Sequence, residues 1–390
     1  MCVSHKFKLI VRETIQKKIT DTIVDNAFTG IVDVAPRVGK TKAVLSALNT
    51  LKNKKIVVIA PYADIINSWQ EEITKWKYKK PIEFHTTRSI NKIKKADLIV
   101  IDEIHELSTA QIKSLKKLNI KLLGLTGTLS EEVELTLNTE LGLVPIISYN
   151  IEQAIIDGII NDYEIVVHGI DLDNSRKNIV AGNKYKKFNQ SELDNYTYLD
   201  KHYKQMFIMK NKLSKDIVTL KKVGKSTEEL EKELITVNIR LQIAITSRTN
   251  ALYNYPLKVF YVKSILNANL AQKKQTLIFT TRIKIADDIG NPYHTETQSD
   301  LQAFKEGKLN YISAVGMLSL GISFPNCNNI VIHQLQSNQS TAIQKVMRAC
   351  IKNDTGVKTR IDIVYYKNTQ DKIWLDKYLK GFDKTKITYV

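Results

Sequence analysis

Cysteine is nearly absent from this chain: Cys2, Cys327 and Cys350 are three scattered thiols in 390 residues. They are too few for a disulfide framework or a zinc cluster and read as reduced thiols of a cytoplasmic protein. No apolar run is long enough to span a bilayer, which argues for no membrane partner. The opening stretch MCVSHKFKLIVRETIQKK breaks its apolar residues with charge, against a secretory signal. No repeat of solenoid length is visible. Acidic residues are also in short supply: 40 Asp and Glu face 58 Lys and Arg, a formal charge of +18. That excess favours a polyanionic partner, nucleic acid first, and raises the rate of encounter. What remains, 43% hydrophobic and 25% charged, describes a globular chain with room for two or three domains.

Short apolar runs followed by helical periods organise the first part. Ile31–Val34 precedes APRVGKTKAVLSAL, and Ile56–Ala60 precedes PYADIINSWQEEITKW. The runs Asp97–Ile101 and Lys121–Leu125 follow, with an amphipathic helix expected over Thr109–Leu118. Buried strands alternating with helices predict a parallel sheet, and a first domain ending near residue 148. A second series, Thr276–Phe279, Tyr311–Ala314, Asn329–His333 and Arg360–Tyr365, predicts a second parallel α/β domain over residues 149–390. In such sheets chemistry is expected in the loops at the carboxyl ends of the strands.

The second domain is interrupted by a basic segment, expected to be helical over about residues 176–255. Between Arg176 and Lys274 there are 20 Lys and Arg against 8 Asp and Glu, so twelve of the eighteen excess charges fall in a quarter of the chain. Leu220, Val223, Leu230, Leu234, Val237 and Leu241 recur at helical spacing on one face. Gly224 reads as a helix stop, and Ser226-Thr227-Glu228-Glu229 as a capping box. Together they predict an antiparallel helical hairpin.

Two motifs carry chemistry. Val34-Ala35-Pro36-Arg37-Val38-Gly39-Lys40-Thr41 lies between a strand and a helix, the place of a phosphate-binding loop. Gly39 lets backbone close on phosphate oxygens, Lys40 neutralises terminal phosphates, and the Thr41 hydroxyl suits magnesium. Val34 stands where the standard loop has its first glycine. Asp102-Glu103-Ile104-His105 follows the run LIVI directly. Asp102 is placed to hold magnesium and Glu103 to orient an attacking water, as phosphoryl transfer requires.

These residues, taken together, resemble the superfamily-two helicases and translocases of the DEAD/DEAH type. Gly39–Thr41 is similar to motif I, Ala60-Pro61-Tyr62 with Trp69 and Glu72 to motif Ia, Asp102–His105 to motif II, and Thr126-Gly127-Thr128 to motif III. In the second half Ile278–Arg282 resembles motif IV, His294–Phe304 with Gly307 the stretch before motif V, Ser319–Ser323 motif V, and Gln344–Arg348 motif VI. The resemblance implies an α/β chain with two RecA-like parallel-sheet domains in tandem, ATP and Mg2+ in the cleft between them, and nucleic acid across both. It implies that Arg348 serves as an arginine finger, that Gln344 contacts the terminal phosphate or the water, and that Gly321 permits close backbone approach. Gln16, preceded by Arg12, resembles the adenine-reading element. Departures are Met347 for a Gly, Ile351 for a second Arg beside Lys352, Ser323 for an Asp and Gly127 for an Ala.

Thr86, Arg88 and Ser89 resemble the phosphate-contacting motif Ib, with Thr280, Thr281 and Arg282 the comparable positions of the second domain. Lys184, Lys186 and Lys187 interleave with Tyr185 and Phe188, ahead of Tyr196, Tyr198 and Tyr203. Such a pattern grips nucleic acid, or its aromatics form the core of the hairpin. Ile151–Gly158 resembles the passage between domains in repair and restriction motors, and the GIS form of motif V most resembles phage recombination helicases of the UvsW type. The expected function is therefore an ATP-dependent DNA helicase or translocase acting on branched or forked DNA in replication, recombination or repair, cytoplasmic in a bacterial host, with protein partners on the helical segment. The alternatives are a nucleic-acid-binding ATP switch without turnover, the motor subunit of a restriction complex, and an RNA helicase.

Overall fold

A computed structural model describes residues 5–182, 185–294, 296–297, 300–315, 327–335, 357–380 and 382–390. Two compact units are present, one containing Met1–Tyr163 and the other Glu164–Met317 and Arg360–Val390.

The first unit begins with α1 (His5–Asp25) and alternates strand and helix except between β3 and β4, which a 3-10 turn (Thr87–Lys92) joins: β1 (Gly30–Val34), α2 (Lys40–Leu48), β2 (Ile56–Ala60), α3 (Ala63–Lys75), β3 (Ile82–Thr86), β4 (Leu98–Ile101), α4 (Thr109–Leu118), β5 (Lys121–Thr126), α5 (Glu131–Leu141), β6 (Pro145–Tyr149) and α6 (Ile151–Ile156). Its sheet has the order β3-β2-β4-β5-β1-β6, and every adjacent pair is parallel. The strands β2 (IVVIA) and β4 (LIVI) are buried along their whole length, because helices cover both faces of a parallel sheet. Helix starts are set by local chemistry. Ser108 and Gln111 close a capping box on α4, and Ser130 with three following glutamates opens α5. The Lys80 ammonium donates to the carbonyls of Leu48, Asn49 and Leu51, closing the carboxyl end of α2.

The second unit contains β7 (Tyr163–Ile170), β8 (Ile179–Gly182), β9 (Lys187–Gln190), α7 (Glu192–Lys222), α8 (Glu228–Asn254), α9 (Pro256–Ala271), β10 (Thr276–Thr280), α10 (Ile283–Ile289), β11 (Pro292–Tyr293), α11 (Asp300–Lys305), β12 (Tyr311–Val315), β13 (Asn329–Ile332), β14 (Thr359–Tyr366), α12 (Gln370–Leu379) and β15 (Ile387–Tyr389). Its sheet has the order β11-β12-β10-β13-β14-β7-β15. All four strands expected of this half are present. The α/β class and the paired RecA-like sheets are as the sequence led one to expect.

The basic segment is more than a helical hairpin. Ile179–Gly182 and Lys187–Gln190 form an antiparallel ribbon, β8 against β9, and the hairpin of α7 and α8 starts only at Glu192. Gly224 has φ 70 and ends α7 as expected. The capping box does not form, since Thr227 donates its hydroxyl to the Glu231 carboxylate instead of receiving backbone N–H groups. Val223 does not share a face with the others; it caps α7 and is exposed. The buried stripe of α8 is Val237, Leu241, Ala244, Arg248 and Leu252.

Anchoring of the hairpin is polar and buried. Arg248 of α8 donates to Asp200 of α7 at 2.7 Å and to Gln370 of α12 at 2.9 Å. Its guanidinium also lies 3.7 Å from the centre of the Tyr203 ring. Glu192 accepts from the backbone N–H of Leu257 and Asp173 and from the Tyr366 hydroxyl. Beside it Lys258 and Asp371, both fully buried, pair at 2.5 Å.

Candidate active site

Gly39 adopts φ 101 at the N-cap of α2, a left-handed conformation that a side chain would strain. The N-terminal amides of α2 then open beyond the carboxyl ends of β1 and β5, a setting for anions. Lys40 turns back, its ammonium donating to the Val34 carbonyl at 2.8 Å. Thr41 stands one residue into the helix, half-buried. Arg37 sits at φ 73, and its carbonyl accepts from Arg12 at 2.5 Å. Burial, with the Arg12 charge second, lowers the Arg37 guanidinium below its ordinary range.

Gln16 of α1 reaches this loop. Its Nε2 donates to the Val38 carbonyl at 2.8 Å, and a Cβ at Gly39 would meet the same nitrogen at 2.2 Å. The buried Gln16 Oε1 has no hydrogen-bond partner. An orphaned acceptor of this kind matches an exocyclic amino group of a purine.

The acidic pair lies at the end of β4. Asp102 is held by its backbone N–H to the Ile59 carbonyl at 2.8 Å. Its Oδ2 accepts from the indole of Trp69 at 2.7 Å and its Oδ1 from the Glu103 backbone N–H at 3.0 Å. Burial, and next the neighbouring Glu103, push the Asp102 carboxyl up to about 6, against the pull of Trp69 and Lys40. A divalent cation would relieve that frustration, so the donor set of Thr41 and Asp102 fits magnesium. Glu103 has φ 50, and its buried Oε2 lacks a hydrogen-bond donor, an acceptor suited to a water.

His105 links this turn to the end of β5. Its Nδ1 lies 2.8 Å from Thr126 Oγ1 and 3.5 Å from Glu103 Oε2, and its Nε2 lies 3.5 Å from Thr128 Oγ1. Burial, then the Lys40 charge, bring the imidazole down to about 4. Between Thr126 and Thr128, Gly127 packs on the loop itself. A Cβ there would lie 2.9 Å from the Val34 carbonyl and 3.0 Å from the Lys40 ammonium. A glycine at this position is thus a matter of space against the backbone of the loop.

The first unit therefore brings together Gln16, Arg37, Val38, Gly39, Lys40, Thr41, Asp102 and Glu103. Sequence reading missed Asp33, one residue before Val34. Burial raises its carboxyl while Lys40 opposes the shift; an aspartate inside an apolar strand was the available signal.

Residues expected on nucleic acid occupy strand ends. Thr86 closes β3 with Arg88 exposed after it, and the loop is held by Ser89 to the Thr86 carbonyl and Gln111 to the Thr87 carbonyl. Tyr62, at the end of β2, is exposed and pairs with Glu106. In the second unit Thr280 is buried and donates to the Arg282 carbonyl at 3.2 Å. Thr281 donates to Gln334 through both its amide and its hydroxyl. Arg282 is engaged by Asn250 and lies over the Tyr253 ring of α8. On the ribbon, Tyr185, Lys186, Lys187 and Phe188 are exposed, whereas Tyr196 is buried against α12. These ribbon side chains are thus open to solvent, while Tyr196 belongs to the core. Lys184, Gly321, Gln344 and Arg348, with Ser323, Met347 and Ile351, lie outside the described residues.

Among the described residues no group of three or more His, Cys, Asp or Glu side chains could hold a metal alone, and no helix is long and apolar enough to cross a membrane. Residues 257–350, about a quarter of the chain, match the helicase conserved C-terminal domain. No curated protein matches the chain. In structure it is similar to the Hef helicase domain of Pyrococcus furiosus, at 14% identity over 93% of this chain and 96% of that one, TM-score 0.50. It is similar to S. cerevisiae Dbp5 bound to RNA and ADP BeF3, at 13% identity over 96% and 89%, TM-score 0.53. It also resembles the Type ISP restriction-modification enzyme LlaBIII bound to DNA, at 12% identity over 97% of this chain and 31% of that one, TM-score 0.54. At such identities the likeness is one of fold. The chain has two RecA-like parallel-sheet units, a fold it shares with these structures, and its second half carries the match to the helicase conserved C-terminal domain.

Proposed function

We propose that the protein is an ATP-dependent DNA helicase or translocase that acts on branched or forked DNA in replication, recombination or repair. One observation carries the reading: a glycine–lysine–threonine loop and an Asp102–Glu103 pair converge at one end of one sheet, with Gln16 presenting an orphaned acceptor beside them. Lys40 would leave the Val34 carbonyl for the terminal phosphates, Thr41 and Asp102 would hold Mg2+, and Glu103 would orient the attacking water. Mg2+ when bound neutralises developing charge on the phosphates. Arg348 and Gln344 complete the set by resemblance alone.

The DNA assignment rests on the likeness of Ser319–Ser323 to the phage recombination motors, and on no contact in the structure. Among the three similar structures named above, one holds RNA and one DNA. The exposed lysines and aromatics of the ribbon support a nucleic-acid grip for either polymer.

Steady-state ATP hydrolysis tests the reading, measured without nucleic acid and with single-stranded DNA, a three- or four-way junction and a matching RNA. The junction is expected to stimulate turnover most, and Glu103→Gln to lower it by about 100-fold or more while keeping nucleotide binding. Stimulation by RNA alone would make it an RNA motor. Binding without turnover on any substrate would make it an ATP switch.

A further inference from the structure

The tryptophan of the PYADIINSW stretch does not lie where nucleic acid could reach it. Trp69, on α3, is 1% exposed. Its single polar atom, the indole N–H, points at Asp102 Oδ2 across 2.7 Å, the shortest contact that carboxylate makes. The other oxygen takes the Glu103 backbone N–H at 3.0 Å. One donor on each oxygen stops rotation of the carboxylate about its Cβ–Cγ bond and leaves the remaining lone pairs in a fixed direction. Packing alone does not ask for the indole nitrogen, since a phenyl ring would fill most of the same apolar space. Trp76, the C-cap of the same helix, is exposed and donates to Glu72 instead.

We propose that Trp69 is a positioning residue of the hydrolytic site, whose indole N–H holds Asp102 in the orientation that receives magnesium. The inference rests on the nucleotide-site reading above and extends it to a residue that touches neither nucleotide nor nucleic acid. Without the N–H, Asp102 Oδ2 is buried with no partner and the carboxylate turns toward whatever donor it can reach, Lys40 included.

The test measures binding rather than turnover. A fluorescent ADP analogue is titrated onto the full chain in EDTA and then at rising Mg2+, for the parent, Trp69→Phe, Asp102→Asn and the double variant. Trp69→Phe is expected to raise the Mg2+ concentration that half-maximally tightens nucleotide binding by about 10-fold, with affinity in EDTA unchanged. In the Asp102→Asn background it is expected to add nothing, because the indole acts only through that carboxylate. A second measurement leaves Trp69 in place: with Trp76→Phe and Trp374→Phe it is the sole indole, and its emission is expected to change as Mg2+ joins bound ADP, and not in the presence of Asp102→Asn. An unchanged Mg2+ requirement in Trp69→Phe, additivity with Asp102→Asn, or a silent Trp69 overturns the inference while the nucleotide site stands. Absence of nucleotide binding by the parent overturns both.

Discussion

At the scale of single residues the site is a set of compromises made around Lys40. The ammonium rests on Val34, presses His105 toward its neutral form, and draws Asp33 and Asp102 toward their charged ones. His105 is the cleanest of these to measure. Its folded-state value, about 4, lies below the ordinary 6.5, so below pH 6.5 the unfolded chain binds the extra proton. Stability from keeping it neutral is full above pH 6.5 and drains away as pH falls toward 4. Between pH 7 and pH 5 the advantage of the parent over His105→Asn in urea unfolding is expected to shrink by about 2 kcal/mol. Asp102 shifts in the opposite sense, since its raised value favours the protonated folded state, but it is common to both proteins and leaves the difference. A pH-independent difference would mean that the imidazole is hydrated and the Thr126 contact incidental. GKT and DEIH were legible as residues; their tie through His105 to Thr126 and Thr128 was not, because the partners are 21 and 23 residues away and only the β4–β5 pairing brings them together.

At the scale of elements, strands were the easiest part to read and polar anchors the hardest. Runs such as IVVIA and LIVI have no other stable place than the middle of a covered sheet. By contrast, nothing in the composition of α9 and α12 marks Lys258 and Asp371 as an ion pair sealed from water. The geometry makes a definite prediction. Asp371→Asn strands a buried ammonium and is expected to cost about 3–5 kcal/mol, read as a fall in melting temperature. Lys258→Met with Asp371→Leu is expected to recover most of that loss, since two apolar groups leave no charge unpaired. If both variants are equally unstable, the pair's hydrogen bonds to its surroundings matter more than its charge. The hairpin was read correctly from Gly224, while its capping box was not. Thr227 is at φ −123 and ψ 7, a backbone that points its hydroxyl away from the amides it would cap.

Across the whole molecule the charge of +18 is unevenly spread, and the ribbon of β8 and β9 displays Lys186 and Lys187 to solvent. Counterion release makes any phosphate-tracking surface salt-sensitive. Affinity for DNA is expected to fall by about 10³-fold between 50 and 200 mM salt, and Lys186→Ala with Lys187→Ala is expected to make the slope of log affinity against log salt shallower by about 2. A slope that does not move takes the ribbon off the nucleic-acid path and leaves its charge for a protein partner.

The division between chain and fold follows from range. The amino-acid order by itself determined the two parallel sheets, the Gly39–Lys40–Thr41 loop and the acidic pair, because alternating apolar runs and a glycine before Lys40 act over a few neighbouring residues. The depth of the site was set by packing. Trp69 reaching Asp102, Gln16 covering Gly39 and Gly127 leaving space for Lys40 each depend on atoms far apart in sequence. So does the anchoring of the hairpin through Arg248 to Gln370, 122 residues away. Such contacts cost nothing in local propensity and leave no periodic mark, so only the assembled core brings them into being.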